Sequence, residues 1–196
     1  LQGETPTWID IDFQPISLSA GDIDSDGTDE AFAASADGEI ASCRLDKNEC
    51  DYFAFGSSNV EIFDIAGGDI DGDTYDEIVV HMKLDGDRII YIHNDDSEFS
   101  GQIEYYAAGV SDEIIALDVA DLDGDNVAEI ITLEDGGWFS WMGYGEDKVV
   151  VHNAYEAPAD TTSDEPYGTL EIKETYTVSG HTGLIDIAAG GGDADP

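Results

Sequence analysis

Carboxylates recur in this chain at a spacing that suits one kind of chemistry. Asp22, Asp24, Asp26 and Glu30 stand at positions 1, 3, 5 and 9 of a short acidic segment. The pattern returns as Asp69, Asp71, Asp73 and Glu77, then as Asp121, Asp123, Asp125 and Glu129, and a fourth copy begins at Asp193 and Asp195. When the backbone curls, these side chains converge, and only a cation makes four like charges favourable within a few ångströms. Oxygen donors alone, in a flexible loop, suit a hard divalent ion such as calcium. The carbonyls of Thr28, Tyr75 and Val127, at position 7, complete the expected ligand sets, and the glutamates give one or two oxygens each. Ca2+ is therefore the expected cofactor.

The loop is not an EF-hand, which needs a Glu at position 12 between two helices. Here the last acid comes at position 9 and the flanks read as strands. A glycine able to turn left-handed stands at position 6 only as Gly27. Asn126 tolerates that conformation, whereas Thr74 does so poorly, so the second loop is expected to bend differently. One such loop is no more than an acidic turn. Three in the same strand context ask for an ion.

Other chemistry is thin. His81, His93, His152 and His181 are scattered, with no two at metal-ligand spacing, and read as ordinary strand or surface residues. Trp138, Phe139, Trp141 and Tyr144 could stack on a glycan, although core packing or a subunit contact is the commoner use of such a cluster. No G-x-S-x-G, nucleotide loop or Cys/His nucleophile pair occurs, so no catalytic residue is assigned.

Composition narrows the partners. The chain has 46 acidic and 6 basic residues and a formal charge of −40. Three divalent ions would lower that only to about −34, so most of the acids must be solvated surface in a cation-rich medium. Such a polyanion repels nucleic acid and anionic membranes. No apolar run approaches the ~20 residues of a membrane span. The chain starts at Leu1 rather than Met, which reads as a processed or excerpted polypeptide whose targeting segment has gone. Cys43 and Cys50 flank a polar turn, and a disulfide across that hairpin would place the protein outside the cytoplasm.

The elements that must position the loops are short strands. An apolar stretch precedes each loop, at Ile16–Ala20, Ile62–Ala66, Ile115–Ala120 and Ile185–Ala189, and another follows each complete one, at Ala31–Ala34, Ile78–Met82 and Ile130–Leu133. Arg88–His93, Gln102–Tyr106 and Gly168–Val178 add further strands, and no segment shows helical periodicity. About four strands per ~50 residues implies an all-β, propeller-like array. Its repeats cover about residues 16–61, 62–114 and 115–183, with a truncated fourth at 184–196. Thr7–Phe13 alternates like a strand of a preceding or neighbouring blade.

An apolar strand, D-x-D-x-D, a further acid and a second apolar strand, in triplicate, resemble the FG-GAP and VCBS repeats of integrin α-subunit propellers and microbial surface proteins. The resemblance implies an extracellular or cell-surface module without catalysis, used in adhesion or in assembling a surface structure or filament. A propeller domain of a larger secreted enzyme and a carbohydrate-binding module are the alternatives. Unpaired terminal strands would favour a protein partner or self-association.

Overall fold

The computed structural model describes residues 8–56, 59–93, 114–136, 147–156, 168–178 and 186–189. They form eleven strands and no helix. β1 (Pro15–Gly21), β2 (Glu30–Ser35), β3 (Glu39–Arg44) and β4 (Glu49–Ala54) make one antiparallel meander in the order β1-β2-β3-β4. β5 (Val60–Gly68), β6 (Glu77–Leu84) and β7 (Asp87–His93) make a second, in chain order. β8 (Ile114–Ala120), β9 (Glu129–Glu134), β10 (Asp147–Glu156) and β11 (Gly168–Val178) make the third, ordered β11-β10-β9-β8. These residues do not close into a ring.

Local chemistry explains the breaks between strands. β6 and β7 meet at Asp85-Gly86, where both residues take positive φ (51° and 106°). That is the signature of a tight hairpin turn whose twist matches its strands. Cys43 and Cys50 face each other across the β3–β4 ladder and are joined by a disulfide, as the hairpin reading expects.

The three sheets stack, and the middle one is covered on both faces. Ile78, Val80, Met82, Ile89 and Tyr91 pack with Phe32, Ala34 and Ile40 of the first sheet. Val79, Ile90 and Ile92 pack with Ile114, Leu117, Val119 and Ile130 of the third. Burial on both faces is why β6 reads as a continuous apolar run rather than an alternation. Polar straps reinforce the stack along the first strand of each sheet. Asp64 on β5 accepts from Ser17 Oγ of β1 (2.7 Å) and from the Leu117 amide of β8 (2.9 Å). Arg88 lies 4.3 Å over the Phe63 ring and donates to the Ile114 carbonyl at 3.1 Å.

Two strand expectations fail. Trp8–Phe13 forms no strand, and Trp8 is 84% exposed. Alternation creates a face that can be covered, but with no neighbouring strand among the described residues the backbone has no ladder to join there. Of Ile185–Ala189, the described residues 186–189 are likewise in no strand. The Ala189 amide donates to Asp118 on β8. Gln102–Tyr106, the aromatic cluster Trp138, Phe139, Trp141 and Tyr144, and His181 lie outside the described residues.

Candidate metal centres

Each complete loop joins the first two strands of its sheet, and its backbone is wound around the aspartate at position 1. In the first loop Asp22 accepts the amides of Asp26 (3.0 Å) and Gly27 (2.8 Å). In the second, Asp69 accepts those of Gly72 (2.7 Å), Asp73 (3.2 Å) and Thr74 (2.9 Å). In the third, Asp121 accepts those of Gly124 (2.7 Å) and Asn126 (2.9 Å). A short side chain that captures amides a few residues ahead is the device by which Asp nucleates turns.

That winding demands positive φ twice per loop. Position 4 has it in Ser25 (53°), Gly72 (82°) and Gly124 (80°), and position 6 in Gly27 (85°), Thr74 (81°) and Asn126 (67°). The expectation that Thr74 bends the second loop differently is therefore wrong. The bonds from Asp69 hold Thr74 in the turn despite its β-branched side chain, which ordinarily costs about 1–3 kcal/mol. Position 4 escaped the sequence reading because Ser25 hides the requirement that Gly72 and Gly124 display.

The glutamate at position 9 closes each loop from the base of the second strand. Its Oε2 accepts the amide of position 2 in all three: Ile23 to Glu30 at 3.2 Å, Ile70 to Glu77 at 2.8 Å and Leu122 to Glu129 at 2.9 Å. These glutamates are only 3%, 1% and 3% exposed. Burial, with the Asp24 charge behind it, pushes Glu30 up to about 6. Burial pushes Glu77 up to about 9, with Asp71, Asp73 and Asp69 adding to it.

Carboxylate oxygens of Asp22, Asp24 and Glu30 lie within 4.8 Å of one another, as do those of Asp69, Asp71 and Glu77, and those of Asp121, Asp123 and Asp125. Asp26, Asp73 and Glu129 stand outside these groupings. The position-7 residues Thr28, Tyr75 and Val127 follow the turn, and Tyr75 and Val127 donate their amides back to Asp73 (2.9 Å) and Asp125 (3.0 Å). Asp193 and Asp195 lie outside the described residues.

The donor set fits a hard cation, and one atom asks for it. Glu77 Oε1 is buried without a hydrogen-bond partner, on a carboxylate whose other oxygen is committed to Ile70. A buried, unpartnered oxygen on a carboxylate grouped with two aspartates is costly alone and well used as a ligand.

Sequence reasoning missed the residues that link the loops. The amide at position 8 donates to the position-1 carbonyl of the loop before it: Asp76 to Asp22 at 3.0 Å and Ala128 to Asp69 at 2.6 Å. The Asp76 carboxylate returns the contact by accepting the Asp22 amide at 2.7 Å, and its burial raises its pKa. Gly21 has no side chain because a Cβ there would lie 2.7 Å from Asp76 Oδ2. No match was found among curated proteins or solved structures. Residues 69–132, which hold the second and third loops, match the family model described as an FG-GAP-like repeat, and that segment is consistent with a repeat of the FG-GAP/VCBS type.

Proposed function

We propose that this chain is a non-enzymatic, extracellular calcium-binding repeat module whose ions are structural. The three sheets act as blades, and each loop is a staple closed by calcium. Asp22, Asp24, Asp26, Thr28 and Glu30, with their counterparts in the second and third loops, are the proposed ligands. The observation that carries this reading is Glu77 Oε1, buried and unpartnered on a carboxylate grouped with those of Asp69 and Asp71. When bound, the ion supplies charge neutralisation and a tie between the two strands flanking the loop. The Cys43–Cys50 disulfide suits an oxidising compartment.

The use we infer is adhesion or the assembly of a surface structure. Supporting it, Ile16 and Leu18 on β1 are 48% and 71% exposed, whereas Ile62 and Ile65 on β5 and Ile114 and Leu117 on β8 are buried between sheets. β1 thus offers an uncovered apolar side of the kind that stacks on another sheet. Melting in calcium and in chelator tests the metal reading. Linkage gives ~2.7 kcal/mol per site at a hundredfold excess over the dissociation constant, so chelation should lower the melting temperature by many degrees. An unmoved curve would overturn the reading.

A further inference from the structure

The third loop already holds a positive charge. Lys173 on β11 sets its ammonium against Asp123 Oδ2, at 2.8 Å, and against Glu129 Oε1. To do so it crosses β10, which lies between β11 and β9 in the sheet. The backbone is shaped for this reach. Val151 pairs with Glu174 and His152 with Ile172, so Lys173 is the extra residue of a β-bulge. Bulges redirect a side chain that regular pairing would aim elsewhere.

The oxygen that Lys173 takes corresponds to the one left empty in the second loop. Glu129 Oε2 accepts the Leu122 amide as Glu77 Oε2 accepts that of Ile70, which leaves Oε1 of each for a further partner. Glu77 Oε1 has none, and Glu129 Oε1 has the ammonium. The acidic groupings differ in the same sense. Glutamate joins two aspartates in the first two loops, whereas the third brings together Asp121, Asp123 and Asp125 without Glu129.

We propose that Lys173 sets the affinity of the third loop, its ammonium occupying the cation position between Asp123 and Glu129 until a divalent ion displaces it. The inference rests on the calcium reading above. An ammonium is a single charge with three donors on a flexible stem, and it satisfies two carboxylates only in part. A divalent ion outbids it, but must first release two charge-assisted bonds. The third loop is therefore the weakest of the three and fills last. The side chain of Lys173 is 31% exposed, so it has a path to water when it leaves. The mutual contact holds Lys173 more firmly protonated and Asp123 more acidic than usual, as an ion pair requires. Without calcium the same contact fastens β11 to the loop. Filling the loop unfastens that strand.

Calcium titration by calorimetry, on the wild-type chain and on Lys173→Met, tests this, with Lys148→Met as the control for net charge. Lys173→Met should tighten the weakest site roughly five- to tenfold and leave the other two unmoved. Lys148→Met should leave all three within about twofold. Should Lys173→Met fail to fold, the wild-type protein answers alone, since the chain has only four lysines and ε-methylene NMR signals can follow each. The Lys173 signal should move with the last calcium to bind. Binding at two loops with no change at the third in Lys173→Met, or a Lys173 signal indifferent to saturating calcium, overturns the role of Lys173 while leaving calcium in place. No calcium uptake by any of the proteins overturns both.

Discussion

Glu77 concentrates the energetics of the second loop in one side chain. Replacing it by Gln keeps an oxygen for the Ile70 amide and removes the ionisable group that must take up a proton to be buried. In chelator, Glu77→Gln should stabilise the chain by at least about 1 kcal/mol, read as a melting temperature about 2–4 °C higher. In calcium the same variant should lose the linkage of one site, and a variant destabilised in chelator would contradict the assignment. The pH response follows from the same group. Its folded pKa of about 9 lies above the unfolded value near 4.5, so the folded state holds the proton more tightly and stability falls as pH rises between the two. His81, lowered to about 4 by burial and Arg88, works oppositely, losing stability as pH falls below its unfolded value near 6.5. His152, lowered by burial, acts in the same sense as His81. From pH 6.5 to 9 the carboxylate acts without them. In chelator the melting temperature should decline across that window, and in calcium it should stay nearly flat, as parallel thermal scans would show.

At the scale of the element, the β3–β4 hairpin is the simplest case. Its disulfide closes a short loop, so reduction should cost at most about 2–3 kcal/mol. Alkylation without reductant should leave the intact mass unchanged, and two added groups would mean free thiols. The strands around the loops were legible because apolar runs broken by acid-and-glycine turns have few other solutions, as in Ile78–Met82 after the second loop. The acidic spacing likewise disclosed the groupings of Asp22, Asp24 and Glu30 and of Asp69, Asp71 and Glu77. What stayed hidden depends on contacts between distant parts of the chain. Lys173 lies 44 residues from Glu129, and Asp76 lies 54 from the Asp22 amide. Neither residue type announces such a partner. Thr74 misled for a related reason: local preference argued against its turn, and three amides captured by Asp69 overruled it. Trp8–Phe13 shows the converse, a pattern with the right period and no strand among the described residues to pair with.

For the whole molecule, the uncovered side of β1 sets the expectation. If the stack continues onto another sheet through Ile16 and Leu18, sedimentation at high concentration in calcium should show association that Leu18→Glu abolishes. Melting of that variant should change little, because Leu18 is 71% exposed. A wild-type chain that stays monomeric with and without calcium would contradict self-association. The link between successive loops carries a further consequence. Asp76 and Ala128 make the same bond to the loop before them, so the bond is blind to side-chain identity and is made by the main chain alone. That main-chain bond survives duplication or exchange of a unit, whereas the contact of the Asp76 carboxylate beside Gly21 is particular to the first joint. Tandem arrays of this kind can then lengthen by gene duplication first and adapt their surfaces afterwards, with each new copy entering in register from the start.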